Sequence, residues 1–123
     1  AVLLYSTAAK QGTLIMESGS KITNCKANYG GGGVHAHVGT FIMNGGTVAT
    51  IYEDGDIPGE GYDASPIRVD QGAEAVINGG SINNISNYTS AIDNYGETIV
   101  KDGTFTSVHT TVANHASMTI NGG

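Results

Sequence analysis

Three short segments carry the side chains best suited to chemistry, and each places two of them two residues apart. The segments are His35-Ala-His37, Arg68-Val-Asp70 and Asp93-Asn-Tyr95. Residues i and i+2 of a β-strand point to the same face, so each pair would project from one surface. Imidazole, guanidinium, carboxylate and phenol groups gathered on one face favour the binding of a sugar chain or an acidic polysaccharide.

Metal binding has two candidate positions. The imidazoles of His35 and His37 could begin a zinc site, although the motif contains no third ligand. An acidic insertion between residues 52 and 63 suggests calcium, although it has neither the EF-hand spacing nor the nonapeptide repeat of calcium β-rolls. Its candidate ligands are Asp54, Asp56, Glu60 and Asp63. The alternative for this insertion is an acidic surface loop without an ion, and no other cofactor is expected.

A catalytic set is not evident. Asp70 and Asp93 could approach the separation of about 6.5–9.5 Å that an inverting glycoside hydrolase needs, but no hydrolase motif surrounds them. A lyase would need a calcium-binding acidic cluster and a base, and only Arg68 and Lys101 are available, on different predicted walls. We therefore assign no catalytic residue and do not predict an enzyme.

Internal repetition indicates the elements that position these residues. Five segments read as a short strand closed by a glycine-containing turn, and they begin at Gly12, Gly39, Ala73, Gly96 and Ala116. A pair of residues two apart, the first of them apolar, precedes four of these strands, and an apolar pair follows each of the turns inside the chain. Three short apolar segments per repeat predict an all-β fold, a right-handed parallel β-helix of about five coils with three short strands per coil and no large helix.

The repeat also predicts which side chains meet. Cutting after each turn divides the single domain, residues 1–123, into coils at 1–19, 20–46, 47–80, 81–103 and 104–123. The register places His35, Arg68 and Asp93 in one outward column. The next outward column contains His37, Asp70, Tyr95 and His115. Because neighbouring coils lie about 4.8 Å apart, Arg68 should pair with Asp93 and His37 should lie beside Asp70.

One repeat carries a family resemblance. The segment Gly-Thr-Phe-Ile-Met-Asn-Gly-Gly-Thr-Val at residues 39–48 resembles the degenerate repeat of right-handed β-helix surface proteins. Such repeats are common in large adhesin-like proteins of gut Gram-positive bacteria, and related coils form the pectin-lyase-like fold. The resemblance implies a fold and does not choose among adhesins, phage tail fibres and polysaccharide-cleaving enzymes. We expect a structural β-solenoid of an extracellular or cell-surface assembly, with a carbohydrate-binding or carbohydrate-cleaving β-helix as the alternative.

Partners are indicated by an aliphatic column, by the chain ends and by charge. Strand alternation should turn four aliphatic residues outward in one column, which predicts lateral packing against another chain or segment. These residues are Ile15, Ile42, Val76 and Ile99. The first five residues resemble the segment that follows a turn, which predicts head-to-tail stacking or a longer parent β-helix. A net charge of −6 opposes nucleic-acid binding, and no apolar run reaches the roughly 20 residues that span a bilayer.

Overall fold

The structure, a computed structural model, describes residues 2–5, 11–25, 32–50, 65–84, 89–107 and 110–123. This part of the chain forms short β-strands and no helix, so it contains no apolar helix of membrane-spanning length. The strands are β1 (Val2–Leu4), β2 (Gly12–Met16), β3 (Lys21–Cys25), β4 (Val34–Ala36), β5 (Gly39–Met43), β6 (Thr47–Thr50), β7 (Ile67–Val69), β8 (Ala73–Ile77), β9 (Ser81–Asn84), β10 (Ser90–Asn94), β11 (Glu97–Val100), β12 (Thr104–Ser107), β13 (Thr110–Asn114) and β14 (Ser117–Ile120).

The strands form three parallel sheets. The first sheet has the order β1-β4-β7-β10-β13, the second β14-β11-β8-β5-β2 and the third β12-β9-β6-β3. The chain enters each sheet in turn, and every strand pairs in parallel with the strand three places away in sequence. This topology confirms the predicted parallel β-helix of about five coils.

Inward side chains of successive coils stack in columns and fill the space between the sheets. In the second sheet, Phe41, Met43 and Ile77 have no exposed surface. Burial of each such large apolar side chain contributes about 1.5–3 kcal/mol to folding. Ile120 lies opposite Val100 in the same inward column, but its side chain is 62% exposed. Ile120 lies on the last described coil, where a neighbouring coil covers it from one side.

Glycine allows the turn from the second sheet to the third. The residue that completes this turn has a positive φ, between 86° and 132°, in every coil. These residues are Gly19, Gly46, Gly80, Gly103 and Gly123. Glycine adopts this conformation without the steric cost that a Cβ atom brings, which explains why the repeat ends in glycine.

Strand β1 corrects one prediction. The sequence suggested that residues 1–5 follow a turn and therefore belong with the third sheet, but β1 pairs with β4 in the first sheet, with Val2 opposite Val34. The first five residues are almost uniformly apolar, so their periodicity does not distinguish the two kinds of strand. The assignment of residues 1–5 to a segment that follows a turn is therefore wrong, whereas head-to-tail stacking itself stays a prediction.

The calcium prediction lies outside the described residues. Its four candidate ligands, Asp54, Asp56, Glu60 and Asp63, and the acidic insertion that contains them fall within residues 51–64.

Candidate functional site

The predicted polar side chains assemble on the outward face of the first sheet. Strand pairing places His35 opposite Arg68 and Arg68 opposite Asp93. The next column continues just beyond the strands, where the Asp70 amide donates to Ala36 O at 2.8 Å and the Tyr95 amide donates to Val69 O at 2.7 Å. We call this surface the polar wall. Its members are Tyr5, His35, His37, Arg68, Asp70, Asp93, Tyr95 and His115.

Asp70 is the centre of one half of the polar wall. Its Oδ2 atom lies 2.7 Å from His35 Nε2 and 2.7 Å from His37 Nδ1. Its Oδ1 atom accepts a hydrogen bond from Arg68 Nε at 2.8 Å. Partial burial by itself raises the pKa of Asp70, but hydrogen bonds from Arg68, His37 and His35 and the charge of His35 outweigh it and lower the pKa to about 2.

Arg68 joins this half of the polar wall to the other. Its Nη1 atom lies 3.6 Å from Asp93 Oδ2, and its Cζ atom lies 4.8 Å from the centre of the Tyr95 ring. The side chain of Asp93 is only 7% exposed, and His115 Nε2 lies 3.4 Å from its other oxygen. The predicted neighbours, Arg68 beside Asp93 and His37 beside Asp70, are therefore confirmed as contacts.

Two ring stacks were not predicted. The Tyr5 ring lies parallel to the His37 ring with a centroid distance of 5.6 Å, and Tyr95 stacks on His115 at 4.4 Å. Tyr5 was missed because β1 was assigned to the wrong sheet. The repeat placed His115 in the same column as Tyr95 on the adjacent coil, so their contact could have been predicted from that column.

A potential metal-ligand set lies within the polar wall. One ligand atom each from His35, His37 and Asp70 lies within 4.8 Å of the other two. The motif His35-Ala-His37 lacked a third ligand, and the fold supplies it from the next coil, 33 residues after His37. The repeat register placed Asp70 beside His37, but it did not show that the imidazoles of both His35 and His37 contact the same carboxylate oxygen.

An open groove of about 700 Å³ borders the polar wall at the corner between the first and second sheets. Glycine and alanine occupy the corner in successive coils, at Gly39, Ala73, Gly96 and Ala116, and all four line the groove. Its walls include Thr40, Glu74, Tyr95, Glu97, His115 and Ser117. This groove was not predicted, although the glycine or alanine that begins each repeat was the sequence feature that could have indicated it.

The aliphatic column lies on the outward face of the second sheet. Ile15 pairs with Ile42, Ile42 with Val76, and Val76 with Ile99. Ile15 is 54% exposed, and the other three are half-buried by neighbouring side chains. Polar residues flank the column, including a chain of hydrogen bonds in which Asn78 donates to Asn44 and Asn44 donates to Glu17.

No protein-family model matches the chain, no curated protein matches it, and no solved structure matches it. The strand register therefore defines the fold. The polar wall, the corner groove and the aliphatic column are the surfaces from which function can be proposed.

Proposed function

We propose that this chain is a structural β-solenoid of an extracellular assembly, such as a surface adhesin stalk or a filament. The observation that carries this proposal is the superposition of coils in three continuous parallel sheets. Because the strands of each coil hydrogen-bond to those of the next, bending or stretching the rod would break many bonds at once. Such a fold suits a stiff support that presents its side walls to partners.

The aliphatic column favours lateral packing as the way in which such rods associate. Its side chains repeat at the coil spacing of about 4.8 Å, so a second copy of the chain would present a column of matching period. Pairing the two columns would remove Ile15 and its half-buried neighbours from water. Head-to-tail stacking has no equivalent support after the correction of β1.

Sedimentation of the purified chain over a range of concentrations tests the lateral contact. We expect concentration-dependent dimers that Val76→Lys weakens by at least tenfold, because the substitution places a charge in the centre of the apolar column. Asn78→Lys is the matched control, since Asn78 faces outward on the same coil but lies beside the column. A wild-type chain that stays monomeric at every concentration would refute lateral packing by this surface.

The extracellular location is tested independently of association. Intact cells of the source organism are treated with a membrane-impermeant biotin reagent, and the protein is recovered with an antibody. We expect biotin on the exposed Lys21 or Lys101 side chain. Protein that is labelled only after lysis would refute the assignment.

The corner groove favours a second candidate function, the binding of a linear polysaccharide. The groove follows the rod axis across five coils, from Gln11 to Ser117, a length of about 19 Å at the usual coil spacing. The Tyr95 ring is held by Arg68 and His115 and borders the groove. Glu74 and Glu97 lie opposite one another on adjacent coils and would accept hydrogen bonds from sugar hydroxyls.

These carboxylates make a neutral polysaccharide a better ligand than an acidic one. Arg68, the cation of the polar wall, already pairs with Asp70 and contacts Asp93, while Glu74 and Glu97 line the groove itself. An acidic sugar chain would therefore meet charge of its own sign.

Affinity electrophoresis against neutral polysaccharides tests this candidate. We expect Tyr95→Ala to weaken retardation at least tenfold, whereas Tyr5→Ala, which alters a tyrosine of the same wall outside the groove, should leave it unchanged. Equal loss in both variants, or no retardation of the wild type by any neutral polysaccharide, would refute polysaccharide binding in this groove.

A further inference from the structure

Two histidines and an aspartate of the polar wall converge on a single point. His35 Nε2 and His37 Nδ1 both lie 2.7 Å from the same atom, Asp70 Oδ2, although the two rings lie at an interplanar angle of 77°. The other carboxylate oxygen is occupied by Arg68 Nε at 2.8 Å. The arrangement thus directs two imidazole nitrogens and one carboxylate oxygen toward a common space.

We propose that His35, His37 and Asp70 form a binding site for a divalent transition-metal ion of the zinc class. Zinc binds imidazole nitrogen at about 2.0–2.1 Å and carboxylate oxygen at about 2.0–2.2 Å. In a tetrahedral site these bond lengths separate neighbouring ligand atoms by about 3.4 Å. The three ligand atoms already lie within 4.8 Å of one another. An ion would open the two 2.7 Å contacts by less than 1 Å and would bring the two imidazole nitrogens, which lie within 4.8 Å of each other, to the same separation.

The surroundings of the site orient its ligands. The side chains of His35 and His37 project from the same face of one coil because the two residues are two positions apart. The main chain of Asp70 is bonded to that coil, since its amide donates to Ala36 O at 2.8 Å. The parallel Tyr5 ring restricts rotation of His37. Arg68 holds the non-coordinating oxygen of Asp70, as outer partners of metal ligands commonly do.

The donor set and the local charge favour this class of ion. Asp70 and Asp93 carry two negative charges against the single positive charge of Arg68, so one negative charge remains beside the imidazoles. Imidazole suits Zn²⁺, Co²⁺ and Ni²⁺, whereas Ca²⁺ and Mg²⁺ prefer oxygen ligands throughout. Three protein ligands leave the fourth tetrahedral position for a water molecule or an external ligand.

The ion would connect two coils. His35 and His37 follow from the coil of β4, and Asp70 follows β7 in the next coil. A metal that binds the folded chain more tightly than the unfolded chain raises the unfolding temperature by mass action. The site is independent of the groove, because none of its three ligands lines the groove.

Isothermal titration calorimetry of the tag-free protein with ZnCl₂ near neutral pH tests the proposal. We expect one saturable site in the wild type and a loss of affinity of more than about 100-fold in His37→Gln, because removal of a ligand should exceed the 10–100-fold cost of losing an outer partner. His115→Gln is the matched control. His115 also stacks on a tyrosine and lies beside an aspartate, but it is not a ligand, and its substitution should leave zinc affinity unchanged.

Co²⁺ supplies a second readout, since a tetrahedral cobalt site gives visible absorption bands that zinc abolishes by displacement. Far-UV circular dichroism shows whether His37→Gln remains folded, and His35→Gln replaces it if it does not. The proposal is overturned if the wild type has no saturable zinc site, or if both ligand variants bind zinc as tightly as the wild type. Saturable zinc binding that His115→Gln weakens as much as His37→Gln would also overturn it.

Discussion

Replacement of Asp70 by asparagine should cost about 1–2 kcal/mol of folding stability. The carboxylate accepts a hydrogen bond from Arg68 and contacts His35 and His37, and these interactions lower its pKa from the ordinary 3.8 to about 2 despite partial burial. That difference corresponds to about 2 kcal/mol, at roughly 1.4 kcal/mol for each pKa unit. Since the side chain remains 18% exposed, solvent screening reduces this upper bound to about 1–2 kcal/mol.

The stability difference between wild type and Asp70→Asn should depend on pH in a defined direction. Because the folded pKa lies below the ordinary value, the stabilisation by Asp70 is fully present above about pH 4 and is lost as the pH falls through about 2. The wild type should therefore approach the variant in stability between about pH 4 and pH 2. The ionisable groups that face Asp70 are His35, His37 and Arg68.

Urea unfolding in the presence of EDTA, followed by far-UV circular dichroism at several pH values, measures this difference. Glu97→Gln is the control, since Glu97 is an exposed carboxylate and its loss should change stability by less than about 0.5 kcal/mol. Equal stability of wild type and Asp70→Asn at neutral pH, or a difference that does not shrink in acid, would refute the role given to Asp70.

Three further substitutions, the first with a matched control, test the packing of the rod by urea unfolding. Ile82→Asp should prevent folding because Ile82 is buried. Its control, Asn83→Asp on the opposite face of the strand, should be tolerated, and equal effects of the two would contradict the register of the third sheet. Gly96→Ala should destabilise by about 1–3 kcal/mol, because its Cβ atom would lie well inside van der Waals contact with the backbone oxygen of Asp70; an unchanged midpoint would contradict this close approach. Asn94→Leu should cost about 1–3 kcal/mol, since the buried amide donates to Asn114 Oδ1 at 2.8 Å and its loss leaves polar partners unsatisfied; a neutral result would contradict a stabilising role of this hydrogen bond.

The sequence repeat predicted the fold because it determines which residues of successive coils lie opposite one another, as well as where the strands lie. Once the glycine turns were aligned, the position of Phe41 above Leu14 followed from counting residues, and so did the position of Arg68 beside Asp93. Counting worked because a β-strand has a side-chain period of two, so a register error of one residue would have placed apolar side chains outside.

Other features could not be read from the sequence. The apolar residues of β1 fit either kind of strand, and pairing with β4 decided between them. The convergence of His35 and His37 on Asp70 depends on side-chain rotamers as well as register, which explains why the third ligand was not recognised. The corner groove is lined in part by glycine and alanine, and a search for chemically active residues passes over both.

Disulfide trapping tests the coil-to-coil register on which the polar wall, the groove and the aliphatic column all depend. Cys25 is first replaced by serine, and Ile42→Cys is combined with Val76→Cys, because Ile42 and Val76 are paired across adjacent coils. A separation of about 4.8 Å lies within the usual Cα range of disulfides, whereas the control pair Ile42→Cys and Asn78→Cys would be about 7–8 Å apart. The account predicts an intramolecular 42–76 disulfide in the peptide map after mild oxidation and little 42–78 product. Preferential formation of the 42–78 bond, or of neither bond, would contradict it.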